Sequence, residues 1–171
     1  MAERTNARFI EPMLLLRTET LPDGPGWLVE LKFDGYRALA IKSGGKVHLR
    51  SRNDNDFNGR YPGIVKALAP MPDETVIDGE VVALDAEGRP SFSALQNHGS
   101  SEAPLHYFVF DLLMLRGRDV MSEPLTKRRE LIEEQVLPEL ADPEDTFPSS
   151  CRCRRREWRG RRIYRCRPRP S

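Results

Sequence analysis

The stretch LHYFVFDLL, residues 105–113, constrains this chain more than any other part of it. Aromatic and aliphatic side chains fall on both odd and even positions, so neither face of such a strand can be left in water. It reads as a strand buried on both faces. Shorter strands precede it. Residues 27–33 and 36–42 read as two, and Ser43, Gly44 and Gly45 form a tight hairpin into 46–50, where Val47 and Leu49 alternate with polar residues. Residues 75–84, rich in Val and Ile, give another. Helical stretches are expected over 61–68, 92–96 and, most clearly, 125–140. In the last, Leu131, Ile132, Val136, Leu137 and Leu140 recur at helical spacing and Pro138 should end or bend the helix. The expected class is α+β, with mainly antiparallel sheets around a cleft and flanking helices.

Charge divides the chain. Residues 151–171 hold ten of its 27 basic residues and one acidic residue, Glu157, which leaves 17 basic against 25 acidic residues in 1–150. The first 150 residues therefore lack the overall basic field of a nucleic-acid binder, and any such contact there needs a local patch. The three cysteines, Cys151, Cys153 and Cys166, all lie in the arginine-rich segment and match no common zinc spacing. The apolar run Met13 to Leu16 is far too short to span a bilayer, so no membrane association is expected. Three parts follow: a Pro- and Gly-punctuated lead-in over 1–26, a folded unit over 27–141, and a tail over 142–171 that has no set of residues able to bury a core.

Chemistry-bearing residues sit on the expected strands. ELKFDGYR, residues 30–37, places Lys32 two residues before an Asp-Gly turn and five before Arg37. Alone, Lys-x-Asp-Gly is a common strand end. Arg52 follows the hairpin, Glu80 interrupts an apolar strand where a carboxylate is costly unless paired or used, and Phe110 stands beside Asp111. One lysine, two arginines, a glutamate and an aromatic ring on adjacent strands describe a pocket for an anionic ligand with a flat ring, which is a nucleotide. His48, His98 and His106 lack a supporting carboxylate pattern and read as surface or strand residues.

The ordered blocks ELKFDGYR, SRN, DGE, YFVFDLL and PLxxRR over residues 12–140 resemble the adenylation domain of ATP-dependent DNA ligases, and look most like the bacterial ligase domains of non-homologous end joining. The resemblance implies the nucleotidyltransferase fold, with Lys32 as the nucleophile that forms lysyl-AMP. It implies Glu30 at the adenine amino group, Arg37 at ribose or the nick 5′-phosphate, Arg52 at the transferred phosphate, Glu80 at a ribose hydroxyl or a metal-bound water, and Phe110 stacked on adenine. Asp34-Gly35 and Asp78-Gly79 would shape the backbone around the ligand. ATP with Mg²⁺ or Mn²⁺ is the implied cofactor set, nicked or broken duplex DNA and end-joining proteins the implied partners, and a bacterial, nucleoid-associated cytoplasm the implied location. The residue types suit the reaction. A lysine attacks phosphorus only as the free amine, and its reference pKa of about 10.4 requires neighbours that favour that form. Transfer then rests on positioning and on neutralising phosphate charge.

The same resemblance implies blocks that these 171 residues do not contain: a Glu-Gly-x-Val-x-Lys run, a further lysine block and a DNA-clamping domain of OB type. The chain is therefore expected to be a C-terminally incomplete ligase domain with impaired adenylation. The tail is either a basic arm for nucleic acid or an out-of-frame translation of a GC-rich gene. The second is favoured, because the shift falls where an expected motif should stand. Capping guanylyltransferases and RNA ligases share Lys-x-Asp-Gly-x-Arg and form the alternative enzyme class. The SRN and FDLL blocks weigh against them. An inactive nucleotide-binding module is the non-enzymatic alternative.

Overall fold

A computed structural model of the chain describes residues 5–14, 19, 20, 24, 28–99, 103–140 and 163–166. Its centre is a five-stranded antiparallel sheet in the order β3-β2-β4-β5-β6, built from β2 (Tyr36–Ser43), β3 (Lys46–Ser51), β4 (Thr75–Ala83), β5 (Leu105–Leu115) and β6 (Arg118–Asp119). A two-stranded sheet pairs β1 (Leu28–Leu31) with β7 (Ile163–Cys166), also antiparallel. The other residues of the arginine-rich tail, and its reading as disordered or out-of-frame, lie outside the described residues, as does Trp27.

Local chemistry accounts for the connections. Gly44 and Gly45 both take positive φ, +56° and +76°, the pair of angles that a two-residue turn needs to match the twist of β2 and β3. Helix α1 (Pro62–Ala67) opens on a proline at its first turn. Helix α2 (Phe92–Gln96) is capped by the Ser91 hydroxyl, which accepts from the Ala94 amide.

The expected long helix over 125–140 is shorter than its periodicity suggests. Helix α3 covers Leu125–Leu131, then the chain widens into a π turn over Ile132–Val136 and tightens into a 3₁₀ turn over Leu137–Glu139. Pro138 has no N–H to give to the preceding turn, so the regular ladder cannot pass through it. The apolar pattern survives even so: Leu131, Ile132, Val136 and Leu140 are all buried.

Alternation sorts the side chains onto two faces. Ala38, Ala40, Ile77, Val81 and Tyr107 point to a core completed by Leu68, Leu95, Leu131 and Val136 from the helical side. Leu39, Ile41, Val76, Leu113 and Met114 point the other way and are covered by Ala7, Phe9 and Ile10 of the N-terminal segment. Central strands β2 and β4 and the C-terminal part of β5 are thus largely buried on both faces, while Leu105, His106, Phe108, Phe110 and Asp111 of β5 are half-buried. No helix among the described residues is long and apolar enough to cross a membrane.

Candidate active site

Antiparallel register brings three distant sequence blocks onto a single rung. Arg37 on β2 is the partner of Glu80 on β4, and Glu80 is the partner of Phe108 on β5. Residues directly opposite share a face. The last β2–β3 pair joins Ala38 to Ser51, so Arg52 leaves β3 one step beyond, level with Arg37. The rung therefore runs Arg52, Arg37, Glu80, Phe108, on the face that carries Leu39 and Val76.

The lysine loop closes over this rung. Residues 32–34 belong to no strand, and Lys32 and Asp34 are exposed while Phe33 between them turns inward. The Gly35 N–H donates to Glu80 Oε1 at 2.8 Å, and the Phe33 ring stacks on Phe108 with centroids 4.1 Å apart and planes 14° from parallel. A side chain at residue 35 would place its Cβ 2.2 Å from the Val81 carbonyl oxygen, so only glycine permits this approach. Lys32 pairs with Asp34 at 3.6 Å, at the solvent edge. Burial pushes the Glu80 carboxyl above its ordinary range, against the pull of the Gly35 N–H and the Lys32 and Arg37 charges.

Arg37 is placed differently from the sequence expectation. Its guanidinium grips Asp78 with two hydrogen bonds, Nε to Oδ1 at 3.1 Å and Nη2 to Oδ2 at 2.5 Å, and donates through Nη1 to the Met13 carbonyl at 2.6 Å. It also lies over the Phe110 ring, 5.3 Å from the centroid. Asp78 is 2% exposed, and that burial raises its pKa although Arg37 opposes the shift. Arg37 thus compensates a buried carboxylate instead of presenting an open fork to phosphate.

Phe110 departs from simple alternation. The β4–β5 register shifts between Asp78 and Gly79, which pair with Asp111 and Val109, so Phe110 is the extra residue of a bulge. Its ring borders Arg37, while Phe108 takes the place on the rung. Asp111 lies within β5, which continues to Leu115. Its charge is matched by Arg128 of α3, bidentate at 2.6 and 2.8 Å. Arg128 also donates to the Met121 and Glu123 carbonyls, and Arg129 donates to the Phe110 carbonyl at 3.2 Å. Both arginines thus tie α3 to β5.

Gly79 is packed too tightly for any side chain. A Cβ there would lie 2.6 Å from the Phe108 carbonyl oxygen and 2.7 Å from the Tyr107 ring. That ring sits beneath the strand, with its hydroxyl donating to the Ala38 carbonyl at 2.8 Å.

Arg52 lies exposed in the turn after β3, with no side-chain hydrogen bond or ion pair among the described residues. Of Glu30 only the backbone is described, paired with Tyr164 across β1 and β7.

The lysine loop is thus hydrogen-bonded to a carboxylate of the main sheet, with arginine and aromatic neighbours on the same rung. The family model for the ATP dependent DNA ligase domain matches residues 12–148. The chain belongs to this family. The multifunctional non-homologous end joining protein LigD of Pseudomonas aeruginosa is 39% identical over 159 residues, covering 84% of this chain and 19% of its own length. The corresponding LigD repair protein of Mycobacterium tuberculosis is 36% identical over 141 residues, covering 78% and 18%. The chain thus spans about a fifth of the length of these curated relatives. Among solved structures, a mycobacterial DNA ligase D complexed with ATP and MES is 40% identical, with a TM-score of 0.55 over 63% of this chain and 36% of that one. The antiparallel sheet with few helices is the ligase-domain fold.

Three residues of this ligase domain have no assigned role in the motif reading: Phe33, Phe108 and Arg128. Phe108 had a signal, since Phe108 and Phe110 are both aromatic on one strand, but only the bulge separates their positions. Asp78 stands inside the quoted DGE block, and nothing in the sequence tells which arginine it meets.

Proposed function

We propose that this chain is the nucleotide-binding part of an ATP-dependent DNA ligase of the end-joining type, with Lys32 as the adenylated residue. The observation that carries the reading is the loop of Lys32, tied through the Gly35 N–H to Glu80 on the rung that also holds Arg37 and Phe108. Lys32 Nζ forms a bond to the α-phosphorus of ATP as the bond to the β-phosphate oxygen breaks, with the electron pair leaving on pyrophosphate and the amine losing its proton. A 5′-phosphate oxygen at a DNA nick then takes the AMP as the P–N bond breaks, and the 3′-hydroxyl closes the strand with AMP as leaving group.

The donor set fits a nucleotide. Phe110 offers a ring for adenine, Arg52 is exposed and open to phosphate, and Glu80 retains one carboxylate oxygen beyond its bond to Gly35. Glu30 would take the adenine amino group. The role expected for Arg37 becomes an indirect one, because its fork is engaged with Asp78. Among the described residues no three His, Cys, Asp or Glu side chains cluster as a metal cage. That fits Mg²⁺ or Mn²⁺ held mostly by nucleotide phosphates with one carboxylate or its water, where the ion would neutralise developing charge. Nicked duplex DNA is the proposed substrate, with end-joining proteins as partners in a bacterial cytoplasm.

The test is incubation with α-labelled ATP and Mg²⁺, wild type beside Lys32→Ala. Label on wild type alone is expected. Label on both, or on neither, removes Lys32 from this role, and label from GTP in preference to ATP would favour a guanylyltransferase.

A further inference from the structure

We propose that Phe33 and Phe108 are positioning residues: their stacked rings form a clamp that holds Lys32 at the height and direction needed for attack. The inference rests on the reading of Lys32 as the adenylated residue, and adds two residues to which no motif assigned a role.

The loop between β1 and β2 is short, and its middle lies outside any strand. A hydrogen bond and a ring stack tie it to the main sheet. At one end the Gly35 N–H meets Glu80 at 2.8 Å, and at the other the Phe33 ring lies flat on Phe108 at 4.1 Å. Glu80 and Phe108 are direct partners across β4 and β5, so both ties land on one rung. A single hydrogen bond at Gly35 is a pivot, about which residues 32–34 can still swing. The second tie removes that freedom, because a near-parallel ring pair fixes both the height and the tilt of Phe33. Lys32 is the next residue along the chain.

Phe33 is turned onto the sheet, and Lys32 and Asp34 on either side of it are exposed to solvent. The Lys32–Asp34 ion pair is exposed on both sides and adds little constraint. The clamp is in turn backed within the sheet, where the His106 ring lies 6.1 Å from Phe108. Displacement of a nucleophile by about 1 Å can cost on the order of a hundredfold in rate. A ring stack one residue away is well placed to exert that control.

The experiment compares wild type, Phe33→Leu, Phe108→Leu and Phe33→Trp in single-turnover formation of the protein–AMP adduct over a range of ATP concentrations. Hydrogen exchange of the Gly35 amide is followed by NMR in each. For both leucine variants the expected result is a loss of at least tenfold in the rate at saturating ATP, with the half-saturating concentration within threefold of wild type. Gly35 exchange should quicken at least tenfold while exchange at Leu39 and Ile77 is unchanged. Phe33→Trp, which keeps an aromatic face, should recover the rate to within about threefold. Unchanged rate and unchanged Gly35 exchange in Phe33→Leu would overturn the clamp, as would a tryptophan variant as slow as the leucine one. If wild type forms no adduct dependent on Lys32, the functional reading fails on its own, and Gly35 exchange still decides whether the clamp exists.

Discussion

Arg37 reaches past its own cross-strand partner, Glu80, to grip Asp78 one step along β4. The diagonal leaves the Glu80 carboxylate to the Gly35 amide, so two adjacent carboxylates on one strand serve different ends. Asp78, 2% exposed, is matched by a guanidinium, and Glu80, half-buried, holds the lysine loop.

The Arg37–Asp78 pair should behave as a buried ion pair. Asp78→Ala strands the Arg37 charge and is expected to lower stability by about 3 kcal/mol in urea denaturation. Replacing both residues with leucine should cost less than Asp78→Ala alone, because no charge is then left without a partner. A double variant weaker than the single one would show that the pair does more than compensate charge.

Glu80 predicts a pH signature. Its folded-state pKa is raised by burial, so the folded state binds the proton more tightly than the unfolded chain does. Acidification just above the ordinary glutamate range should therefore favour folding, and the ionised form at neutral pH carries a cost. Glu80→Gln removes that cost while keeping an acceptor for Gly35. Its Tm at pH 7 should equal or exceed wild type, and the gap should shrink as pH falls through the raised pKa. Adduct formation should drop nonetheless. A Tm deficit that is largest at neutral pH would contradict the burial argument.

Gly35 and Gly79 separate site from scaffold. Gly79→Ala drives a methyl into the Phe108 carbonyl and the buried Tyr107 ring, and should destabilise by about 3 kcal/mol, the upper end of overpacking. Gly35→Ala meets the Val81 carbonyl at a loop that can lift away. We expect a smaller fall in Tm there, with loss of the Lys32 adduct. Equal stability losses at the two positions would mean that the lysine loop is as rigid as the sheet.

Arg128 ties α3 to β5 through Asp111, and to the turn before α3 through the Met121 and Glu123 carbonyls. Arg128→Ala should cost about 2 kcal/mol, and Arg128→Lys should recover only part of it, since an ammonium cannot reproduce the planar fork. Thermal unfolding of the three proteins is sufficient to rank them.

Local patterning made much of this molecule legible. Hydrophobic alternation marked β3, a Val- and Ile-rich run marked β4, the glycine pair marked the β2–β3 hairpin, and the run at 105–113 announced the long apolar strand β5. Ligase membership was equally legible, because ELKFDGYR and the later blocks keep their order whatever the chain does in space. Three things needed the tertiary structure. Which carboxylate Arg37 meets depends on a diagonal across two strands, and sequence distance does not encode diagonals. The exchange of places between Phe108 and Phe110 depends on a bulge, one extra residue whose cost is set by both strands at once. The helix over 125–140 kept its buried residues but left the regular α ladder after Leu131, ahead of Pro138, whose missing N–H bars that ladder from running on. The sequence by itself determined the strands, the family and the candidate lysine. Only pairing across β2, β4 and β5 decided how that lysine is held, because register is a property of neighbouring strands and not of any one of them.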